Sequence, residues 1–323
     1  MSTGKAIPPS IAIASPRLTA LLDHFRTHRP LRAGSLIVTV FGDCIAPRGG
    51  EVWLGSLIAA MAPLGISQRL VRTSVYRLVQ DGILYNRAAG RRSFYTLTDA
   101  GRAQFHSATA RIYAPPHPNL QGHWRLLLLA NVPAALRPKV RRELQWLGFG
   151  QFNSDTLAHP SMDRARMHDL CEHLGIRKTA VQLDANLPAD QAPTALTQLV
   201  ARAWDLQALE AAYSAYLQLF EPICHGLCEQ PALSDAEAFY VRTLMLHEYR
   251  RVVLRDPALP LSMLPDDWQG QRAYRLTQTL YRQLVAASER HLTASFINQM
   301  GPLPALDGDF KLRFDGLNDA LPH

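Results

Sequence analysis

From Ser67 to Arg92 two hydrophobic periods follow one another without a break. Leu70, Val71, Val75, Leu78 and Val79 recur at three- and four-residue spacing, which predicts a helix with one apolar side. Arg69, Arg72, Thr73, Tyr76 and Arg77 fall largely on the opposite side and are expected to face outward. Asp81-Gly82 ends that helix, Ile83-Leu84-Tyr85 reads as a strand, Gly90 lies in a turn, and Ser93 to Leu97 alternate as a return strand. A helix followed at once by a tight hairpin is the outline of a recognition helix and wing.

The pattern upstream completes that motif. Pro16 to His28 suits a short leader helix behind a loose arm, together residues 1–33. Gly34 to Cys44 predicts a helix with Leu36, Ile37, Val40 and Phe41 on its apolar face, stopped by Pro47-Arg48-Gly49-Gly50. Glu51 to Leu54 is extended, Gly55 to Met61 helical, and Leu64 to Ser67 is a turn with Ser67 as the N-cap of the next helix. Thr98-Asp99 opens a closing helix that runs to Tyr113. Residues 34–114 therefore read as a winged helix-turn-helix domain, followed by a proline-rich linker at 114–118.

Beyond the linker the pattern changes twice. Trp124 to Asn131 is a continuous apolar run suited to a buried strand, and Pro133 to Leu147 is an amphipathic helix. Phe149 to Ala158 is strand-like with room for a split at Asn153-Ser154, Asp163 to Leu174 is helical, and Lys178 to Asp184 is strand-like again. That succession predicts a ferredoxin-like α/β domain over 119–190. Residues 193–300 are helical, with segments Thr194 to Phe220, Ser234 to Arg255 and Gln271 to Met300, and 301–323 read as an irregular tail. The fold class is α+β and multidomain.

Composition narrows the function. At 323 residues the chain suits two or three domains, and 47% hydrophobic with 19% charged residues is an ordinary globular balance. Mean hydropathy is −0.08, and the longest apolar run falls short of the ~20 residues a membrane helix needs. The N-terminus lacks the pattern of a secretory signal, and four scattered cysteines give no disulfide framework, so a cytoplasmic protein is expected. The net charge is +7 with a pI near 9.4, which favours an anionic partner: nucleic acid, or a phosphate-bearing ligand such as a nucleotide or CoA thioester.

The charge is concentrated. Six arginines against the single acid Asp81 give the stretch from Ser67 to Arg92 a net of +5. A helix in a major groove needs long donors on its N-terminal half, and Ser67, Gln68, Arg69, Arg72 and Thr73 occupy it. Tyr76 and Arg77 lie a turn further on, where Arg77 suits the DNA backbone. Arg87, Arg91 and Arg92 put positive charge on the wing. A solvated basic face or a protein-binding surface is the competing reading, but fold order, clustered charge and pI together favour duplex DNA.

Three blocks carry a resemblance to a known family. SLIVTVFGDCIAPRGGEVWLGSLIAAMAPLGISQRLVRTSVYRLVQDGIL, GRRSFYTLTDAGR and HEYRRVVLRDPALPLSMLPDDWQGQRAY resemble the PaaX family of transcriptional repressors of phenylacetic acid catabolism, and the similarity runs from about Ser35 to Gly316. The resemblance implies a homodimeric repressor, not an enzyme, that sits on operator DNA and is released by phenylacetyl-CoA. It also implies a Cas2-like central domain. The nuclease form of that fold holds a metal with an acidic residue at the end of its first strand, a place taken here by Asn131. Trp124, Trp146 and Phe149 are expected in its core.

Other constellations are weaker. His247, Tyr249, Arg250 and Arg251, with Trp268, offer cations and aromatic surface for the phosphates and acyl group of such an effector; equally, Arg250 or Arg251 suits a salt bridge to Asp256, Asp266 or Asp267. The zinc-protease helix motif fails because position 251 is Arg. Cys224 and Cys228 have C-x₃-C spacing without a second pair, and His159, His168, His173 and His291 show no ligand spacing, so no metal and no cofactor is expected. An enzyme or binding protein for a CoA or nucleotide ligand, without DNA binding, is the alternative function. It lacks a P-loop, a dinucleotide fingerprint or a nucleophile elbow to support it.

Overall fold

The computed structural model describes residues 16–27, 31–116, 123–160, 162, 164–188, 193–229, 233–317 and 320; the N-terminal arm, the end of the linker and the side chains of Trp146 and Cys228 lie outside them. The chain forms two compact units, each assembled from separated segments. Residues 1–114, 218–249 and 275–323 make the first, and 115–217 with 250–274 make the second.

The first unit holds the winged helix. Helix α1 (Pro16–Thr27) buries Leu18, Leu21, Leu22 and Phe25, one face of a 3.6-residue period. Helix α2 (Ala33–Val40) is shorter than its pattern suggested: a π-helical turn, Phe41–Ile45, takes over before Cys44, and a 3-10 turn, Ala46–Arg48, follows it. The widened turn holds the buried carboxylate of Asp43, and Pro47, lacking an N–H, closes the helix. Strand β1 (Glu51–Trp53), helix α3 (Leu54–Met61), helix α4 (Gln68–Gln80), strands β2 (Leu84–Ala89) and β3 (Arg92–Leu97), and helix α5 (Asp99–Ile112) follow in winged-helix order. The sheet runs β1-β3-β2, antiparallel throughout, with Trp53 opposite Phe94 and Phe94 opposite Arg87.

In the second unit lies the expected ferredoxin-like sandwich. Strand β4 (His123–Leu128), helix α6 (Arg137–Trp146), strands β5 (Gly150–Gln151) and β6 (Thr156–His159), helix α7 (Arg164–His173) and strand β7 (Val181–Asn186) give a sheet ordered β5-β6-β4-β7, with every pair antiparallel. The split strand is the β5–β6 hairpin around Asn153-Ser154. Leu127, Leu129, Val140, Leu144, Phe149, Leu157, Met167 and Ile176 pack between this sheet and its helices. Trp124 and Phe149 are buried as expected.

Helices α8 (Pro193–Ala203), α9 (Leu206–Glu229), α10 (Asp235–Val253) and α11 (Gln269–Ser295) make up the helical segment, and the division between units falls within α9, α10 and α11. Three expectations are corrected. The first long helix breaks at Trp204-Asp205, where the Asp205 carboxylate accepts from Ala208 N–H as an N-cap (3.0 Å), and α9 then runs through Pro222. The last helix stops at Ser295 instead of Met300. Strands β8 (Ile297–Asn298) and β9 (Gly301–Pro302) form a hairpin there, and a 3-10 segment, Asp309–Asp315, buries Phe310, Arg313 and Phe314, so the described part of the tail, 301–317, carries defined elements rather than being irregular. Prolines 302 and 304 have no N–H for a helix, and the apolar spacing of Phe310 and Phe314 gives the tail a face to bury.

A network of buried charges ties the winged helix to the C-terminal part of the first unit. Arg242 on α10, wholly buried, donates to Asp43 Oδ2 (2.8 Å), Glu289 Oε1 (2.6 Å) and the Tyr281 hydroxyl (2.9 Å). Arg313 from the tail reaches Asp43 Oδ1 and the Asp43 carbonyl, both at 2.9 Å. The hydroxyls of Tyr113 and Tyr281 donate to Asp43 Oδ1 at 2.8 Å each, and Arg48 pairs with Glu289. Burial pushes the Asp43 carboxyl up, but Arg242, Arg313 and the hydrogen bonds from Arg242 and Tyr113 outweigh it and hold the group below the ordinary aspartate value. Buried charges persist only when paired in this way.

Candidate nucleic-acid interface

Helix α4 is fixed from below and bare above. Val71, Val75 and Leu78 are buried where α4 packs on α2 and α3. Full burial of each contributes about 1.5 kcal/mol or more. At 100° per residue, Arg69, Arg72, Thr73, Tyr76 and Arg77 fall on the far side, and all five are exposed, Tyr76 by 62%. The same geometry corrects one expectation: Leu70 sits about 100° from Val71 and is 53% exposed, so it lies at the edge of the outward face. Val79 is half-buried.

Local bonds set the N-terminal half of α4. Ser67 has an extended backbone and its Oγ accepts from Leu70 N–H at 3.3 Å, as an N-cap should. With its amide oxygen turned to Arg72, Gln68 accepts from Arg72 Nε (3.1 Å) and Nη2 (3.0 Å), which aligns two polar side chains one turn apart. Thr73 Oγ1 donates to the Arg69 carbonyl at 3.0 Å. The first turn of α4 contains no acid, so nothing offsets the positive end of the helix dipole there.

The wing is built to hold its arginines apart. Ala89 pairs with Arg92, leaving Gly90 and Arg91 as a two-residue turn, and Gly90 has φ of +59°, the left-handed backbone that such a turn requires. The Arg92 guanidinium lies over the Trp53 ring, 5.0 Å from its centre. Arg87 donates to Gln299 Oε1 at 3.4 Å. Glu51, the nearby acid on β1, is occupied by Thr96 Oγ1 (3.1 Å) and Gln299 N–H (3.0 Å). All three wing arginines remain exposed.

The five residues considered for an effector divide between the two units. His247 and Tyr249 belong to the first unit and are 2% and 1% exposed, and His247 Nδ1 lies 3.0 Å from Thr39 Oγ1. Arg250, Arg251 and Trp268 belong to the second. Trp268 is buried edge-on to Tyr213 (5.7 Å between ring centres), whose hydroxyl donates to Asp256 Oδ2 at 2.7 Å. Asn131 is exposed in the turn after β4.

Sequence reasoning passed over Asp43, Arg48, Arg242, Tyr281, Glu289 and Arg313, the buried network. A signal existed for two of them: Asp43 stands inside VTVFGDCI and Arg242 inside AFYVRTLML, each a lone charge in an apolar run. Gln299, which meets Arg87, had no such signal.

A three-stranded winged-helix sheet beside an arginine-faced second helix defines a DNA-binding regulator. Three family models match the chain: PaaX-like protein over residues 32–101, the PaaX protein central Cas2-like domain over 117–197, and the PaaX-like protein C-terminal domain over 204–294. The chain is 34% identical over 303 residues to the transcriptional repressor PaaX of Escherichia coli (strain K12), covering 94% of this chain and 96% of that one. It belongs to the PaaX family. Among solved structures, the uncharacterized protein Rv0674 from Mycobacterium tuberculosis matches 72% of this chain and 89% of its own length, at 24% identity and a TM-score of 0.42.

Proposed function

We propose that the protein represses phenylacetate catabolic genes as a homodimer on duplex operator DNA, and that an aryl-CoA thioester, phenylacetyl-CoA, releases it. The observation that carries the reading is the exposed arginine face of α4 beside the basic wing, in a chain similar in sequence to a repressor over 94% of its length. Gln68, Arg69, Arg72 and Thr73 read base edges; Ser67, Tyr76 and Arg77 meet the backbone; Arg87, Arg91 and Arg92 reach an adjacent phosphate or minor groove. The half-buried Arg250 and Arg251 suit the phosphates of the effector, with Trp268 beside them in sequence. Among the described residues no helix is long and apolar enough to cross a membrane. Release follows when the effector stabilises an arrangement whose two recognition helices no longer match successive major grooves. A shift assay at fixed salt tests it: phenylacetyl-CoA should lower operator affinity while free CoA does not, and unchanged affinity with the thioester would sink the induction step.

A further inference from the structure

The hairpin of β8 and β9 is fastened to α3, to β1 and, through one bond, to the wing. Ile297 N–H donates to Ser56 Oγ (3.2 Å), Gln299 N–H to Glu51 (3.0 Å), and Gln299 Oε1 accepts from Arg87 (3.4 Å). Strand β8 lies against β1. In the sheet register Glu51 is opposite Thr96, and Arg87 and Trp53 are both opposite Phe94, so Glu51, Trp53 and Arg87 share one face. The hairpin therefore sits on the face of the wing that carries Arg87, and Arg92 lies over Trp53 on that same face.

The tip is closed by its own hydrogen bond and presents one side chain. Asn298 Oδ1 accepts from Met300 N–H at 2.8 Å, and Gly301 has φ of +129°, which closes the turn on a backbone that glycine alone adopts readily. Met300 is left 91% exposed, the highest exposure of any large apolar side chain among the described residues. A single exposed apolar residue is by itself ordinary. This one directly follows Gln299, whose side chain bonds Arg87 and whose N–H bonds Glu51, and positions 295–303 fall outside all three family-matched ranges.

We infer that this hairpin is a second wing: when the basic wing meets duplex DNA, Gln299 positions Arg87 at a phosphate and Met300 lies in the adjoining minor groove against sugars and base edges. The inference rests on the wing being a DNA contact. Arginines supply the attraction there, and an apolar side chain at a groove edge supplies contact without charge, a use to which methionine is put in minor-groove proteins. Gln299 adds an amide with both donor and acceptor capacity beside them.

The test uses the full chain and a duplex selected from random-sequence DNA by the wild-type protein. Affinity is measured by fluorescence anisotropy across a salt series. Met300→Ala should weaken binding about five- to tenfold with the salt slope unchanged, because no phosphate contact is lost, while Met300→Lys should steepen the slope by about one. Leu312→Ala, which removes another exposed apolar side chain, should change nothing. If Arg91→Ala lowers the slope while both Met300 variants match wild type, the second wing is wrong and the first stands. If Arg91→Ala also leaves the slope unchanged, both fall together. A Met300→Ala variant that shifts the sedimentation coefficient and not DNA affinity assigns the tip to self-association and overturns the inference.

Discussion

The sandwich of the second unit packs Leu127, Leu144, Phe149, Leu157 and Met167 against one another, whereas the first unit, besides its apolar core, encloses Asp43, Arg48, Arg242, Glu289 and Arg313. Apolar contact is non-directional, so the sandwich depends chiefly on volume and best tolerates apolar side chains that keep it. The charged network works by direction. Both Asp43 oxygens and both Glu289 oxygens are engaged by guanidinium groups, with Arg242 shared between the two acids. A register shift of α2, α10 or α11 would break several of these bonds at once. Asp256 shows that the second unit buries polar groups as well, bonded within that unit by Tyr213, 43 residues earlier, and by the Ala258 N–H. The lesson is that the unit carrying the winged helix is specified by charged bonds between distant segments.

The largest expected effect comes from cutting that network. Arg242→Ala leaves two buried acids with fewer partners and should cost about 3–5 kcal/mol. Hydrogen exchange read separately for the two units should show the loss first in α2 and α10. Leu144→Ala, in the sandwich, should cost about 2–5 kcal/mol and lower protection in the second unit. Equal loss of protection in both units for both variants would dissolve the comparison.

Acid should sharpen it. The folded Asp43 carboxyl titrates below its ordinary value of 3.8. Its contribution is therefore full above that value and is lost as pH falls through the lower folded value. Urea midpoints for the first unit should drop through this window in wild type and much less in Asp43→Asn, which starts from a less stable state. A wild-type midpoint that stayed flat there would remove Asp43 from the balance.

Smaller effects concern DNA. Arg72→Ala should cost about 1–3 kcal/mol of operator affinity and relax preference at one base pair, as competition against random duplex would show. Arg91→Ala should weaken operator and random DNA alike and reduce the salt slope by about one. Identical ratios of operator to random affinity for the two variants would erase the division between base and backbone roles.

Much of this was legible in the chain. The three-and-four spacing of Val71, Val75 and Leu78 determined the buried side of α4, and with it the outward set of Arg69, Arg72 and Arg77, because a helix fixes direction by residue number alone. The Gly90 turn and the alternation to Leu97 determined the wing in the same local way. The order of apolar runs from Trp124 to Asp184 determined the central sandwich, since its strands and helices are short and contiguous. Leu70 shows the limit of counting: it belongs to the apolar period in composition, and only the packing of α4 decided that it lies at the edge.

Tertiary structure alone decided the rest. Asp43 and Arg242 are 199 residues apart, Arg48 and Glu289 241, and Arg87 and Gln299 212. No periodicity links such positions, because their pairing depends on how helices meet and not on how each one turns. The same holds for the tail: Arg313 stacks on Phe310 within it, but the partners that bury the segment, Tyr113 and Tyr281, come from distant helices. The sequence determined which residues of α4 face outward by local geometry; the non-local contacts of the fold decided how the unit that carries them is held together.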